Sequence, residues 1–153
     1  MGFIITGPAF GKASVCIEII RTLPDWFGIE SAIRRYQQEI DHLPTFLAEA
    51  DGQVAGFISL KQHNPYSSEI YVMGVRLEVQ HRGIGHSLLD AAERYAGSQG
   101  VEYLQIKTLG PSNPDVSYGR TRDFYLNAGY RPLEEFDRIW DEKNPCLILV
   151  KRV

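Results

Sequence analysis

The sequence predicts an α+β fold, a mixed and mostly antiparallel sheet of about six or seven strands flanked by about four helices. Three observations predict it. Apolar spacing alternates between helical and strand periods, in the order two helices, three strands, helix, strand, helix, two strands. An Asp51-Gly52 pair separates two short apolar runs, the mark of a tight antiparallel hairpin. Mid-chain, one strand leads through an amphipathic helix to the next strand, the layout of a parallel crossover.

Each element follows from its residues. After an apolar start at Phe3–Ile5, read as a first strand, Val15, Cys16, Ile19, Ile20 and Leu23 recur at helical spacing until Pro24 closes the helix. Ile29, Ile33, Tyr36 and Ile40 form a second helical stripe, and the loop between the two carries Trp26 and Phe27. Phe46–Ala50 and Val54–Leu60 flank the hairpin turn, and Glu69–Val75 follows as a further strand. Ile84, Leu88, Ala91, Ala92 and Tyr95 mark one face of a helix that ends near Gly97 or Gly100. Val101–Leu109 reads as a strand, Tyr118–Ala128 as a helix stopped by Gly129, and Arg131–Ile139 and Cys146–Val150 as two closing strands. No repeat, linker or low-complexity stretch divides the 153 residues, so one domain over 1–153 is expected.

Composition narrows the function. Hydrophobic residues make up 44% and charged residues 23%, the profile of a soluble globular chain. A net charge of -3 argues against a nucleic-acid partner, which needs a basic face. It does not argue against a phosphate-bearing ligand, because backbone N–H groups hold phosphates without net positive charge. Cys16 and Cys146 lie in apolar runs without a Cys-x-x-Cys or Cys/His pattern, so buried thiols and no metal are expected. Unpaired thiols, no signal peptide and no apolar stretch near the ~20 residues of a membrane span point to a cytoplasmic setting without a membrane partner.

The segment that carries chemistry runs from Val75 to Leu88. A strand ends, a short connection follows, and Gly83 and Gly85 open an amphipathic helix. Glycine permits close backbone approach. The first-turn N–H groups of a helix lack intrahelical partners, and its dipole adds partial positive charge. Together they make a diphosphate seat, with Gln80, His81, Arg82, Ile84, His86 and Ser87 around the two glycines. Arg82 adds a cation and Ser87 a hydroxyl. A lone Gly-x-Gly is a weak signal; this one lacks the third glycine of a dinucleotide fold and the Gly-Lys-Ser/Thr of a P-loop. Its strength is the Gln80-x-x-Gly83-x-Gly85 spacing behind a strand.

Gln80-His81-Arg82-Gly83-Ile84-Gly85 resembles the Gln/Arg-x-x-Gly-x-Gly/Ala motif of the GNAT superfamily of N-acetyltransferases. After one intervening strand, Phe124-Tyr125-Leu126-Asn127-Ala128-Gly129-Tyr130 is similar to the second motif of that family. The resemblance covers roughly Thr45 to Val150 and implies a GNAT-like three-layer fold. It implies acetyl-CoA as co-substrate, lying where Glu69–Val75 and Val101–Leu109 splay apart. Residues 80–87 would hold its diphosphate, the backbone of Met73 and Val75 its pantetheine arm and thioester, and Asn113 the pantetheine amides. Ser117, Tyr118 and Arg120 are further cofactor-side candidates. Tyr125 would serve as general acid beside the sulfur, and Glu69 as general base, through water. The implied reaction is direct acetyl transfer to a primary amine in a ternary complex; the alternative is a non-catalytic CoA-binding regulatory module.

The chemistry explains why such groups are needed. A lysine-like amine with a pKa of about 10.4 is neutral in only about one molecule in 2,500 at pH 7, a cost of about 4–5 kcal/mol. A carboxylate in reach can take that proton, and backbone donors stabilise the oxygen that gains charge. Gly74, inside a strand, is expected to mark a bulge or a close approach of backbone. Trp26, Phe27 and Tyr71 are expected to line the acceptor site. With Asp25, Glu30, Tyr66 and Glu69 they give it an acidic, aromatic character that suits a small cationic amine or a peptide amine. None of the four histidines is expected to be catalytic. The closing strand Cys146–Val150 is a candidate for pairing across a homodimer.

Overall fold

The computed structural model describes residues 2–153. A seven-stranded sheet in the order β1-β2-β3-β4-β5-β7-β6 carries two helices on each face. The elements are β1 (Ile4–Ala9), α1 (Ala13–Ile20), α2 (Glu30–Ile40), β2 (Thr45–Ala50), β3 (Gln53–Asn64), β4 (Ser67–Val75), α3 (Ile84–Ser98), β5 (Tyr103–Leu109), α4 (Val116–Asn127), β6 (Arg131–Asp141) and β7 (Asn144–Arg152). Neighbouring strands run antiparallel except β4 and β5, which are parallel and joined through α3. The α+β architecture and the single central crossover thus match expectation.

Local chemistry accounts for the turns. Asp51 and Gly52 both adopt positive φ, 53° and 76°, the backbone of a two-residue hairpin that matches strand twist. Gly129 ends α4 at φ 96°, and its amide bonds back to the Leu126 carbonyl. β3 runs four residues past the apolar stretch that announces it. Lys61, Gln62 and Asn64 carry little apolar signal but continue the ladder against β4, with a register shift at His63.

The sheet separates two cores. On one face α1 and α2 bring Cys16, Ile19, Ile20 and Ile33 onto Leu47, Phe57 and Val72. On the other, α3 lays Ile84, Leu88, Leu89 and Ala92 against Ile58, Ile70, Leu104 and Ile106, with Tyr125 and Tyr130 closing the α4 end. Burying a leucine or isoleucine side chain stabilises the fold by about 1.5–3 kcal/mol, so these stripes fix both faces of β4 and the α3 face of β5. The two cysteines are free and buried. Among the described residues, no helix is long and apolar enough to cross a membrane.

Candidate active site

β4 and β5 pair only from Ser67↔Tyr103 to Ile70↔Ile106. Past that point β5 continues along β7 to Leu109↔Cys146 while β4 continues along β3 to Val75↔Gly56, so the two strands part. A register shift sits at the point of divergence. Ser59 pairs with Val72 and Leu60 with Ile70, which leaves Tyr71 as an extra residue on β4. A bulge of this kind bends its strand and increases its twist. It also places Tyr71 and Val72 consecutively on the α1/α2 face, while Ile70, Met73 and Val75 face α3. Between the parted strands opens a cleft of about 610 Å³. The β5-facing amides and carbonyls of Tyr71–Val75 have no strand partner there, which is a requirement for holding an extended ligand arm.

The Gly74 expectation needs correction. The residue lies in regular register with Phe57, and the bulge is at Tyr71. A Cβ on Gly74 would stand 3.2 Å from Leu23 Cδ1 and from Phe57 Cε1, so the missing side chain makes room for the α1 side of the core.

At the far end of β4 the chain turns into the start of α3. Gln80 Nε2 donates to the Val75 carbonyl at 2.9 Å and ties the connection to the strand end. His81 at φ 65° and Gly83 at φ 85° are both left-handed. Successive turns of this kind aim amides inward and form an anion-binding nest. No side chain caps α3, so its first-turn amides face the cleft unpartnered. The two glycines do different work. Gly83 has open space around a would-be Cβ and is required by its backbone angle. A Cβ on Gly85 would touch the Phe124 ring at 3.2 Å, so Gly85 lets α3 pack on α4. Of the residues expected at this seat, Gln80, His81, Gly83, Ile84, Gly85 and His86 line the cleft together with Met73 and Val75. Arg82 and Ser87 do not; Arg82 is exposed and Ser87 belongs to the helical ladder behind.

Tyr125 projects from α4 into the cleft wall, with its ring edge-on to Phe124 at 5.2 Å and to Tyr130 at 6.0 Å. Burial pushes its hydroxyl well above the ordinary tyrosine value, with a smaller push from Tyr118. The group therefore keeps its proton at neutral pH. Thr108, also in the wall, has a buried hydroxyl without a partner among the described residues.

The opposite end of the cleft is aromatic. Phe27, Tyr36 and Tyr71 form an edge-to-face series with centroids 6.0 Å and 5.5 Å apart. Trp26 bridges to α4: its Nε1 donates to Thr121 Oγ1 at 3.0 Å and to the Ser117 carbonyl, and Tyr118 donates its hydroxyl to the Trp26 carbonyl. Trp26, Phe27 and Tyr71 thus all line the cleft.

Other residues stand away from the places expected of them. Asn113 lies outside the cleft wall; its oxygen accepts the Asp115 amide within its own loop and its amide donates to the Lys143 carbonyl, so its side chain ties that loop to the β6–β7 turn. Asp25, Glu30 and Tyr66 stay on the exterior, Glu30 in a salt bridge with Arg21. Glu69 stands one layer behind the wall, 7% exposed, accepting from His63 Nε2 at 2.8 Å and from Lys107 Nζ at 3.5 Å. The acidic wall inferred from sequence is therefore not built. Sequence reasoning passed over Lys107, Thr108, Thr121 and Trp140, which do line the cleft. Lys107 alternates with apolar neighbours along its strand, the one signal that it occupies the face opposite Ile106.

Comparison with known proteins agrees with this geometry. The model of the acetyltransferase (GNAT) family matches residues 14–130. A mycothiol acetyltransferase of Streptomyces bingchenggensis is 36% identical over 77 residues, covering 49% of this chain and 25% of the relative. An uncharacterised N-acetyltransferase of Chlorobaculum tepidum is 26% identical over 117 residues, covering 74% and 68%. The chain spans only 25% to 34% of the first mycothiol acetyltransferases it matches. Among solved structures, a Desulfovibrio desulfuricans protein assigned to the GNAT family superposes with TM-score 0.85 at 16% identity, covering 99% of both chains. An Elizabethkingia anophelis GNAT acetyltransferase with acetyl-CoA bound superposes with TM-score 0.72 at 17% identity, covering 99% and 98%. At such identities these two structures speak for the fold alone, but the family model covers most of the chain: the protein belongs to the acetyltransferase (GNAT) family.

Proposed function

We propose that residues 1–153 form one N-acetyltransferase domain that moves the acetyl group of acetyl-CoA to a primary amine in a ternary complex. The observation that carries this reading is the parting of β4 from β5 beside an uncapped helix start. An extended pantetheine arm fits along the unpaired edge of Tyr71–Val75, and a diphosphate fits the amides of residues 83–86. Acetyl-CoA supplies the activated thioester. The acceptor nitrogen forms the new bond to the acetyl carbon, the carbon–sulfur bond breaks, and Tyr125 gives its proton to the departing sulfur and regains one, through solvent, from the nitrogen as it becomes the amide. Unpaired β4 amides face the oxygen that gains negative charge. Glu69 takes the ammonium proton of the acceptor through water, since Lys107 stands between its carboxylate and the cleft.

The acceptor expected from sequence is a small cationic amine or a peptide amine. The wall supports an amine with an aromatic-lined approach, but among the described residues it offers no acidic side chain to favour further positive charge. A thiol-release assay with acetyl-CoA over a broad amine panel tests the function. Turnover of at least one amine, lost in Tyr125→Phe, is the expected result. CoA binding without thiol release from any amine would point instead to a non-catalytic CoA-binding module.

A further inference from the structure

We propose that Lys107 seats a carboxylate of the acceptor, so that the acceptor is an amine that also bears a negative charge. This rests on the acetyltransferase reading of the cleft and adds the substrate class to it.

Strand alternation sets the side of the sheet on which Lys107 lies. Ile106 packs into the α3/α4 core, so Lys107 faces the α1/α2 side, where Tyr36 and Tyr71 form the aromatic wall. Apart from two histidines at the helix start, the charged side chains lining the cleft among the described residues are Lys107 and Arg120. Both are cations, and no Asp or Glu joins them.

The nearby carboxylates are already committed. Glu39 accepts the Tyr71 hydroxyl and pairs with Lys61 at 3.1 Å. Glu69 accepts from His63 at 2.8 Å, closer than the 3.5 Å to Lys107. Of that last pair, Lys107 is the accessible member, 31% exposed against 7% for Glu69. An ammonium has three donors, and one contact with Glu69 leaves two for a ligand. An acceptor whose recognition depended on a second cation would meet Lys107 with like charge. One with a carboxylate would meet it with a charge-assisted hydrogen bond. Glu69 then has two tasks: it orients the Lys107 ammonium toward the cleft, and it stands behind as proton acceptor.

The test uses the intact protein, acetyl-CoA and matched acceptor sets: free amino acids with aromatic, aliphatic and basic side chains, the corresponding amino-acid amides, and the decarboxylated amines. For at least one set, kcat/KM for the carboxylate is expected to exceed that for the amide and the amine by about tenfold or more, the scale of one hydrogen bond to a charged group. Lys107→Met should collapse that ratio through KM, while its Kd for CoA, measured by calorimetry, stays at the wild-type value and shows that the cleft is intact. Lys107→Arg should recover part of the ratio. Amides or simple amines used as well as the carboxylates, or a ratio that survives Lys107→Met, would overturn the proposal. So would turnover of none of the acceptors. Retained CoA binding in any of these cases leaves the cofactor reading standing, whereas failure to bind CoA removes both.

Discussion

Replacing Gly83 by alanine separates a backbone requirement from a steric one. Gly83 caps α3 with φ 85°, and a Cβ there would find nothing within 4 Å. The whole penalty is therefore conformational. Holding an alanine in the left-handed region costs about 1–2 kcal/mol. For a chain of this length that lowers Tm by about 2–8 °C. If the substituted residue relaxes to an ordinary angle, the nest of amides is lost, and the binding-competent state must be recovered at the same cost. The apparent Kd for CoA then rises by about 5- to 30-fold. Asparagine tolerates positive φ better than alanine, so Gly83→Asn should lose less than Gly83→Ala in both measurements. Differential scanning fluorimetry and isothermal titration calorimetry on the three proteins make the comparison. An alanine variant with unchanged Tm and unchanged CoA affinity would show that position 83 has no need of a left-handed backbone, and so would an asparagine variant worse than alanine.

Other outcomes follow from the same geometry. Tyr125→Phe keeps the ring contacts with Phe124 and Tyr130; it should fold with a near-wild-type Tm, yet lower kcat in thiol release by about 10²-fold or more. Burial raises Tyr118 to about 12 and Tyr125 further, so both favour the folded state as neutral phenols. That stabilisation is complete below the ordinary tyrosine value of about 10 and is lost as pH rises from there towards 12 and beyond; Tm should fall across that window, and a rise would contradict the assignment. Burial likewise lifts Cys16 to about 12 and Cys146 to about 11, so iodoacetamide at pH 8 should label neither thiol in the native protein and both after denaturation, as read by mass spectrometry.

The order of elements was legible because each announces itself locally. The Ile84–Leu88–Ala92 stripe, the Asp51-Gly52 turn and Gly129 after α4 need no tertiary information. The glycine connection into α3 was legible for the same reason, since Gln80 and Gly83 act within one strand-to-helix segment, whereas the need for a glycine at 85 comes from Phe124 of α4. What was hidden depends on partners distant in sequence. The insertion of β7 between β5 and β6 is a matter of pairing, which apolar runs do not encode. The bulge falls on Tyr71, which looks like any strand residue until its register with Leu60 and Ser59 is known. Gly74 draws attention as a glycine in a strand, yet its role is set by Leu23, far earlier in the chain. Glu69 reads in the sequence as one charge at a strand start; only the fold brings His63 and Lys107 onto its carboxylate. Asn113 was placed by analogy of position, and its side chain is spent on its own loop and on the distant β6–β7 turn.

On the proposed reading, the start of α3 and the free edge of β4 together hold coenzyme A, and a titration of ¹⁵N-labelled protein with CoA, followed by amide chemical shifts, decides whether they do. The largest perturbations should fall on Gly83, Ile84, Gly85 and His86 and on Met73–Val75, with saturation at one equivalent. Shifts concentrated elsewhere, or none at those amides at saturating CoA, would contradict it.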